Sequence, residues 1–335
     1  MAASAPMPVR ARLAPMLALA LVSAGALAVE IALTRFFAVA KWSEYGYWVI
    51  SIAMAGFAFG GVVLALWREA LARRDWLAPA LALALLAAAA CGYSASILDP
   101  FNPLRLQNPV TWQSELGHIG LYYLCYLPVF FCAGLFIGLM FIRFPRATGL
   151  VYGADLLGAA CGAAAVLGLM WLVPPLHLIA AILPAIALAA PLAAPSARGR
   201  RGFGLAALVL LVGGEALLWA GPQPGFDQWK PIYAPLHTQG ARIVATRLAP
   251  RGEYLLLDDF TERVDTDISN DTGLLHVPGP PRAYGLYRDG NRIGALARPG
   301  HLVVGYAKAA LDGAPYAMLT APRVLLIGAS GGFRI

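Results

Sequence analysis

GLVYGADLLGAACGAAAVLGLMWLV, residues 149–173, carries a single charged side chain, Asp155. A helix needs ~20 mainly apolar residues to cross the hydrocarbon of a bilayer, and this stretch meets that length. Arg143 and Arg146 stand before it and Pro174-Pro175 closes it. Working outward, segments of the same kind fall at 13–39, 46–67, 76–98 and 119–142, then at 176–195 and 203–220. The reading is a mainly α membrane protein of about seven transmembrane helices.

Composition agrees. The chain is 59% hydrophobic and 13% charged, where soluble domains run at about 25% charged. Residues 1–221 hold 13 Lys/Arg and 8 Asp/Glu, while the shorter 222–335 holds 12 and 10. The chain therefore divides into a lipid-solvated part and a water-solvated part. The net charge of +7 is not gathered into basic runs interleaved with aromatics, so no nucleic-acid partner is expected. Cytoplasmic loops of a membrane protein account for it instead. Arg10, Arg12, Arg68, Arg73, Arg74, Arg143, Arg146, Arg198, Arg200 and Arg201 fall in alternate loops, against Lys41 and Arg105 in the others. That bias places the N-terminus in the cytoplasm. Seven spans then put the following residues outside, so either one segment does not span or the count of seven is off by one. Arg10, Arg12 and Ala26-Leu27-Ala28 also resemble a signal peptide. Continued apolar character through Phe36-Phe37-Ala38-Val39 favours a retained first helix.

Within the spans, small residues recur at four-residue spacing: Gly56 and Gly60, Gly134 and Gly138, and Ala154, Gly158 and Gly162. Such faces let helix backbones approach closely in lipid, so packing is the expected role. Intramembrane ionisable groups are costlier. Glu30 and Arg35 in the first span and Asp155 in the fifth form a candidate membrane polar cluster, either an interhelical pairing or the lining of a substrate or proton path. Glu215 lies in the seventh span. The connection 99–118 reads as an extramembrane loop, with Glu115 and His118 as a solvated helix start rather than a metal pair. Cys91, Cys125, Cys132 and Cys161 form no CxxC motif and read as buried small hydrophobes.

After Pro222 the pattern turns β-like. Residues 241–248 and 252–259 read as strands around a Pro250-Arg251-Gly252 turn, and 285–296 as a hairpin on Asp289-Gly290. The acidic stretch between them has Asp265, Asp267 and Asp271 at calcium-loop spacing. Asn270 and His276 replace the Gly and Glu that such a loop requires, so a solvated loop and no metal are expected. Residues 306–319 suggest a short helix. The tail, APRVLLIGASGGFRI at 321–335, reads as a buried parallel strand, Val324-Leu325-Leu326-Ile327, breaking into a glycine turn. Glycines there let backbone N–H groups approach a nucleotide-type ligand.

These residues resemble bacterial membrane-fused spermidine-synthase-like proteins, in which a multi-helix membrane region precedes an S-adenosylmethionine-type domain. Glu30-Ile-Ala-Leu-Thr-Arg35 is similar to that family's opening helix signature, and Tyr152-Gly-Ala-Asp155-Leu-Leu-Gly158-Ala to its middle one. Residues from Tyr233 to Gly332 resemble the small β subdomain, first strand and glycine loop. The resemblance implies three parts: 1–221 membrane domain, 222–320 β-rich subdomain, and 321–335 the start of a truncated Rossmann-like α/β domain. It implies S-adenosylmethionine or its decarboxylated form as cofactor, held by Gly328, Ser330, Gly331, Gly332 and Tyr306. The acceptor would be a small amine or a membrane-accessible molecule, and the transferred group methyl or aminopropyl. Ala307 and Lys308 replace the polar residue and Glu that polyamine synthases place after the Tyr, which argues against an amine acceptor. The family's ribose-binding acid and catalytic base find no counterpart before Ile335, so residues 1–335 are expected to be inactive alone. Two other readings stand: a short-chain dehydrogenase start on the same glycines, with Arg334 at its last glycine position, and a non-enzymatic transporter or scaffold.

Overall fold

The computed structural model describes residues 9–99, 101–264, 276, 279–298, 300, 305–306, 310, 313–321 and 323–325. The chain divides into two compact units, one of residues 1–38 and 42–225, the other of residues 39–41 and 226–335.

The first unit is helical: α1 (Val9–Ala40), α2 (Gly46–Ala72), α3 (Leu77–Ile97), the short α4 (Pro103–Leu106), α5 (Trp112–Arg143), α6 (Thr148–Leu169), α7 (Leu178–Ala187), α8 (Ala189–Ala193) and α9 (Ala197–Ala220). Among the described residues, seven helical segments are long and apolar enough to cross a membrane; the sixth joins α7 and α8 as Pro175–Ala193. The tight Pro174-Pro175 connection is a single 3-10 turn, in which the His177 N–H bonds the Pro174 carbonyl at 2.9 Å.

An aromatic cluster joins α1, α3 and α5. The Phe37 ring meets Tyr122 edge-on at 5.2 Å, and Phe36 meets Tyr93 at 5.0 Å. Tyr122, Tyr126, Phe130 and Phe136 of α5 are all fully buried. α5 packs on both α2 and α3. By contrast, α6 and α9 leave most of their apolar surface uncovered, with Leu156, Leu157, Leu205, Val209 and Val212 exposed. Surface of this kind is costly in water and costs nothing in hydrocarbon.

One predicted packing face is realised at full contact. A Cβ on Gly158 would lie 2.3 Å from the Ala20 carbonyl oxygen, and one on Gly162 would lie 2.3 Å from that of Ala24. α6 therefore presses backbone to backbone against α1, which only a residue without a side chain allows.

The second unit holds α10 (Tyr233–Leu236), four strands and α11 (Ala314–Met318). Strands β1 (Arg242–Ala249), β2 (Gly252–Asp258), β3 (Ala283–Arg288) and β4 (Asn291–Ala297) form one antiparallel sheet in sequence order. Asp289 and Gly290, at φ 51° and 74°, make the β3–β4 turn whose two left-handed residues match strand twist. Both expected hairpins are present. Ile232, Leu255, Leu257 and Tyr287 form the core on one stretch of the sheet, with Phe226 and Leu236 against it. Val264, Ala283, Ala295 and Tyr306 form a second cluster.

The tail differs from its expectation where it is described. Residues 323–325 are in no strand, and Leu325 is 84% exposed. A parallel strand is held by ladder bonds to a neighbour, and among the described residues no strand pairs with this stretch. Leu326 to Ile335 lie outside the described residues.

Candidate functional site

Gly328, Ser330, Gly331 and Gly332 lie outside the described residues, as do Ala307 and Lys308. Tyr306 is buried beside Val264, Ala283 and Ala295, where its ring serves as core. Asp265, Asp267 and Asp271 are likewise outside the described residues.

The membrane polar cluster is not gathered at one place. Asp155 on α6 accepts a 2.5 Å hydrogen bond from the Ser23 hydroxyl on α1. Arg35 is twelve residues beyond Ser23 on the same helix, about 18 Å at 1.5 Å rise per residue. An Arg35–Asp155 pair therefore does not form. Glu30 is half-buried on α1, seven residues from Ser23. The Ser23–Asp155 hydrogen bond accompanies the close α1–α6 contact.

A different constellation stands at the end of α3 and the start of α5. Asn102 caps α4 by accepting the Leu104 N–H at 3.0 Å, and that turn folds the connection back over α5. The Asn102 N–H then donates to Glu115 Oε2 at 3.0 Å, and Arg105 Nε stands 3.6 Å from Glu115 Oε1. The Glu115 side chain is 1% exposed. It is a buried acid under a folded loop, not the solvated helix start that its spacing suggested. Beside it, Asp99 Oδ1 lies 2.5 Å from His118 Nδ1, with the Asp99 side chain 0% exposed and His118 partly open. Neither Asp99 Oδ2 nor Glu115 Oε1 has a hydrogen-bond partner among the described residues. Beneath them the Tyr126 hydroxyl donates to Ser96 Oγ at 2.5 Å, and Ser96 donates to the Tyr93 carbonyl at 2.7 Å.

A carboxylate at Nδ1 orients an imidazole and leaves Nε2 as the nitrogen that can accept a proton or a ligand. The Asp99–His118 dyad is thus the candidate site of the helical unit. Among the described residues no three His, Cys, Asp or Glu side chains are placed to hold a metal ion. Glu115 and His118 were visible in the sequence as an i, i+3 pair. Asp99, nineteen residues before His118, gave no local signal.

The sheet unit carries its own buried polar groups. The Tyr287 hydroxyl donates to Glu262 Oε1, and Arg292 Nε donates to Glu262 Oε2 at 3.0 Å. Gly285 makes room for this: a Cβ there would fall 2.4 Å from the Glu262 carboxyl carbon. Burial and the Glu262 carboxylate together push the Tyr287 phenol well above its ordinary range. Asp259 is buried, which by itself opposes ionisation. Hydrogen bonds from Thr238, from the Thr261 hydroxyl and N–H, and from the Phe260 backbone nevertheless hold its carboxyl below the ordinary carboxylate range.

No family model, no curated protein and no solved structure matches this chain.

Proposed function

We propose that this chain is a multi-pass membrane protein whose soluble part opens a spermidine-synthase-like transferase domain using an S-adenosyl cofactor. The observation that carries the reading is an order of elements. Seven apolar helices are followed by a four-stranded antiparallel meander, and the Gly328–Gly332 loop follows that meander in the sequence. In the family that the motifs resemble, such a β subdomain stands in front of the cofactor-binding Rossmann-like fold. Methyl or aminopropyl transfer to a membrane-accessible acceptor is the activity that this order supports. Lys308 in place of the family's Glu sets a cation where an amine acceptor would need an anion, which favours methyl transfer to an uncharged acceptor.

Calorimetry with S-adenosylmethionine tests the reading. A protein carrying any residues encoded beyond Ile335 is expected to bind saturably, and G331V is expected to abolish binding because a side chain there blocks backbone approach. Failure of the extended protein to bind would overturn the cofactor assignment.

A further inference from the structure

The seven apolar segments, 13–39, 46–67, 76–98, 119–142, 149–173, 176–195 and 203–220, contain three acids, Glu30, Asp155 and Glu215, and a single Lys or Arg, Arg35. The acids are held differently. Asp155 accepts the Ser23 hydroxyl at 2.5 Å, and Glu215 accepts the Trp219 indole N–H at 3.1 Å. Glu30 has neither a hydrogen bond nor an ion pair among the described residues. Arg35 cannot supply one. It lies five residues on, about 7.5 Å further along α1 and about 140° round it, whereas helix neighbours stand three or four residues apart.

Depth sharpens the contrast. Glu30 is ten residues from the end of α1 at Ala40, about 15 Å of helix, and the hydrocarbon of a bilayer is about 30 Å thick. Lys41 and Trp42, residues suited to the membrane interface, directly follow Ala40. The carboxyl therefore stands near the midplane when α1 spans. It is half-buried, and its oxygens are not among the enclosed polar atoms, so it opens to the surface of the helical unit. The titratable side chains that neighbouring helices turn toward α1 are Asp155 on α6, Tyr93 on α3, and Tyr122 and Tyr126 on α5; α7 contributes none. None of them is a cation. An ionised carboxylate with no donor and no cation is prohibitive in hydrocarbon, whereas the neutral acid is tolerated. Packing alone gives no reason for a glutamate here, since Gln or Met fills the same length without a proton to lose.

We infer that Glu30 is a proton-binding site at the middle of the bilayer, where the helical unit holds one proton as a neutral carboxylic acid and releases it as pH rises. The inference rests on the membrane reading of α1 and is independent of the S-adenosyl assignment. A proton held at that depth serves a proton-coupled step of the helical unit. The test treats the full chain in phosphatidylcholine nanodiscs with dicyclohexylcarbodiimide, which partitions into hydrocarbon. A protonated carboxyl gives its proton to a carbodiimide nitrogen as its oxygen bonds the central carbon, and the adduct rearranges to a stable N-acylurea. Trypsin cuts after Arg12 and Arg35 and releases residues 13–35, whose only side-chain carboxyl is Glu30, so mass spectrometry reads the site directly. That peptide is expected to be modified at neutral pH and progressively less as the medium turns alkaline. A water-soluble carbodiimide is expected to leave it unmodified. E30Q, an amide in place of a neutral acid of the same shape, should match the parent in thermal unfolding in detergent. No modification by either reagent, or a yield independent of pH, overturns the proton site and leaves the span standing. Modification by the water-soluble reagent places Glu30 in water and overturns the membrane reading of α1 together with the proposal. A marked loss of stability in E30Q reveals a partner for the ionised form and also overturns it.

Discussion

Asp99 is the most demanding single residue in the helical unit. Its carboxyl is wholly buried and one of its two oxygens depends on His118. Removing one partner of a buried pair leaves the other charge uncompensated, at a cost of about 3–5 kcal/mol. H118A is therefore expected to lower stability near the bottom of that range, because His118 is partly open to solvent. D99N/H118A should recover part of the loss, as the uncompensated charge is then gone. Thermal unfolding in detergent checks both. In the sheet unit, Asp259 sets a pH dependence. Its folded pKa lies below its unfolded value, so its contribution is present above the ordinary carboxylate range and is lost as pH falls through the folded value. Protection factors of the β2 amides, taken relative to intrinsic exchange at each pH, should fall on acidification in the parent, and that acid dependence should flatten in D259N. The sequence showed Asp259 only as one of a run of acids. Its partner Thr238 comes from the turn after α10, and that pairing is a product of the fold.

Among the elements, α6 offers a contrast between glycines of the same helix. Gly158 and Gly162 are pressed against the Ala20 and Ala24 carbonyls, whereas a Cβ on Gly168 would meet nothing within 4 Å. G158V is expected to destabilise by about 1–3 kcal/mol through overpacking. G168A is expected to be neutral or stabilising by up to about 1 kcal/mol, because alanine has the better helix propensity. Opposite signs in thermal unfolding would confirm that contact, not residue type, decides the role. Four-residue spacing made this face legible in advance. It did not say that α1 is the partner, since a small-residue face fits any helix that comes near enough. The strands were legible for a similar reason. Their alternation and the Asp289-Gly290 turn are local, and β1–β4 fall within a residue or two of the boundaries read from them.

For the whole molecule, the number of crossings has a consequence. If all seven apolar helices span, as proposed, Arg200 and Arg251 lie on opposite sides of the membrane. The arginine bias puts Arg200 in the cytoplasm. Single-cysteine variants R200C and R251C, in a background without Cys91, Cys125, Cys132 and Cys161, should then differ with an impermeant maleimide. R251C is expected to react in intact cells and R200C only after lysis; the reverse pattern would invert the orientation, and reaction of both in intact cells would remove one span. The soluble part would face outward, so a cytosolic S-adenosyl donor would have to reach it across the membrane. Orientation and cofactor source are therefore linked.

Sequence by itself determined the seven apolar helices, the two hairpins and the composition break between them. Each follows from interactions within one or two turns of chain, or from the length of hydrocarbon a helix must cross. Only the tertiary structure decided which polar groups are buried together. Ser23 meets Asp155 across 132 residues, Arg298 meets Asp258 across 40, and His118 meets Asp99 across 19. Such pairs depend on the path of the chain between them. No periodicity encodes that path, so these pairs emerged from the fold alone.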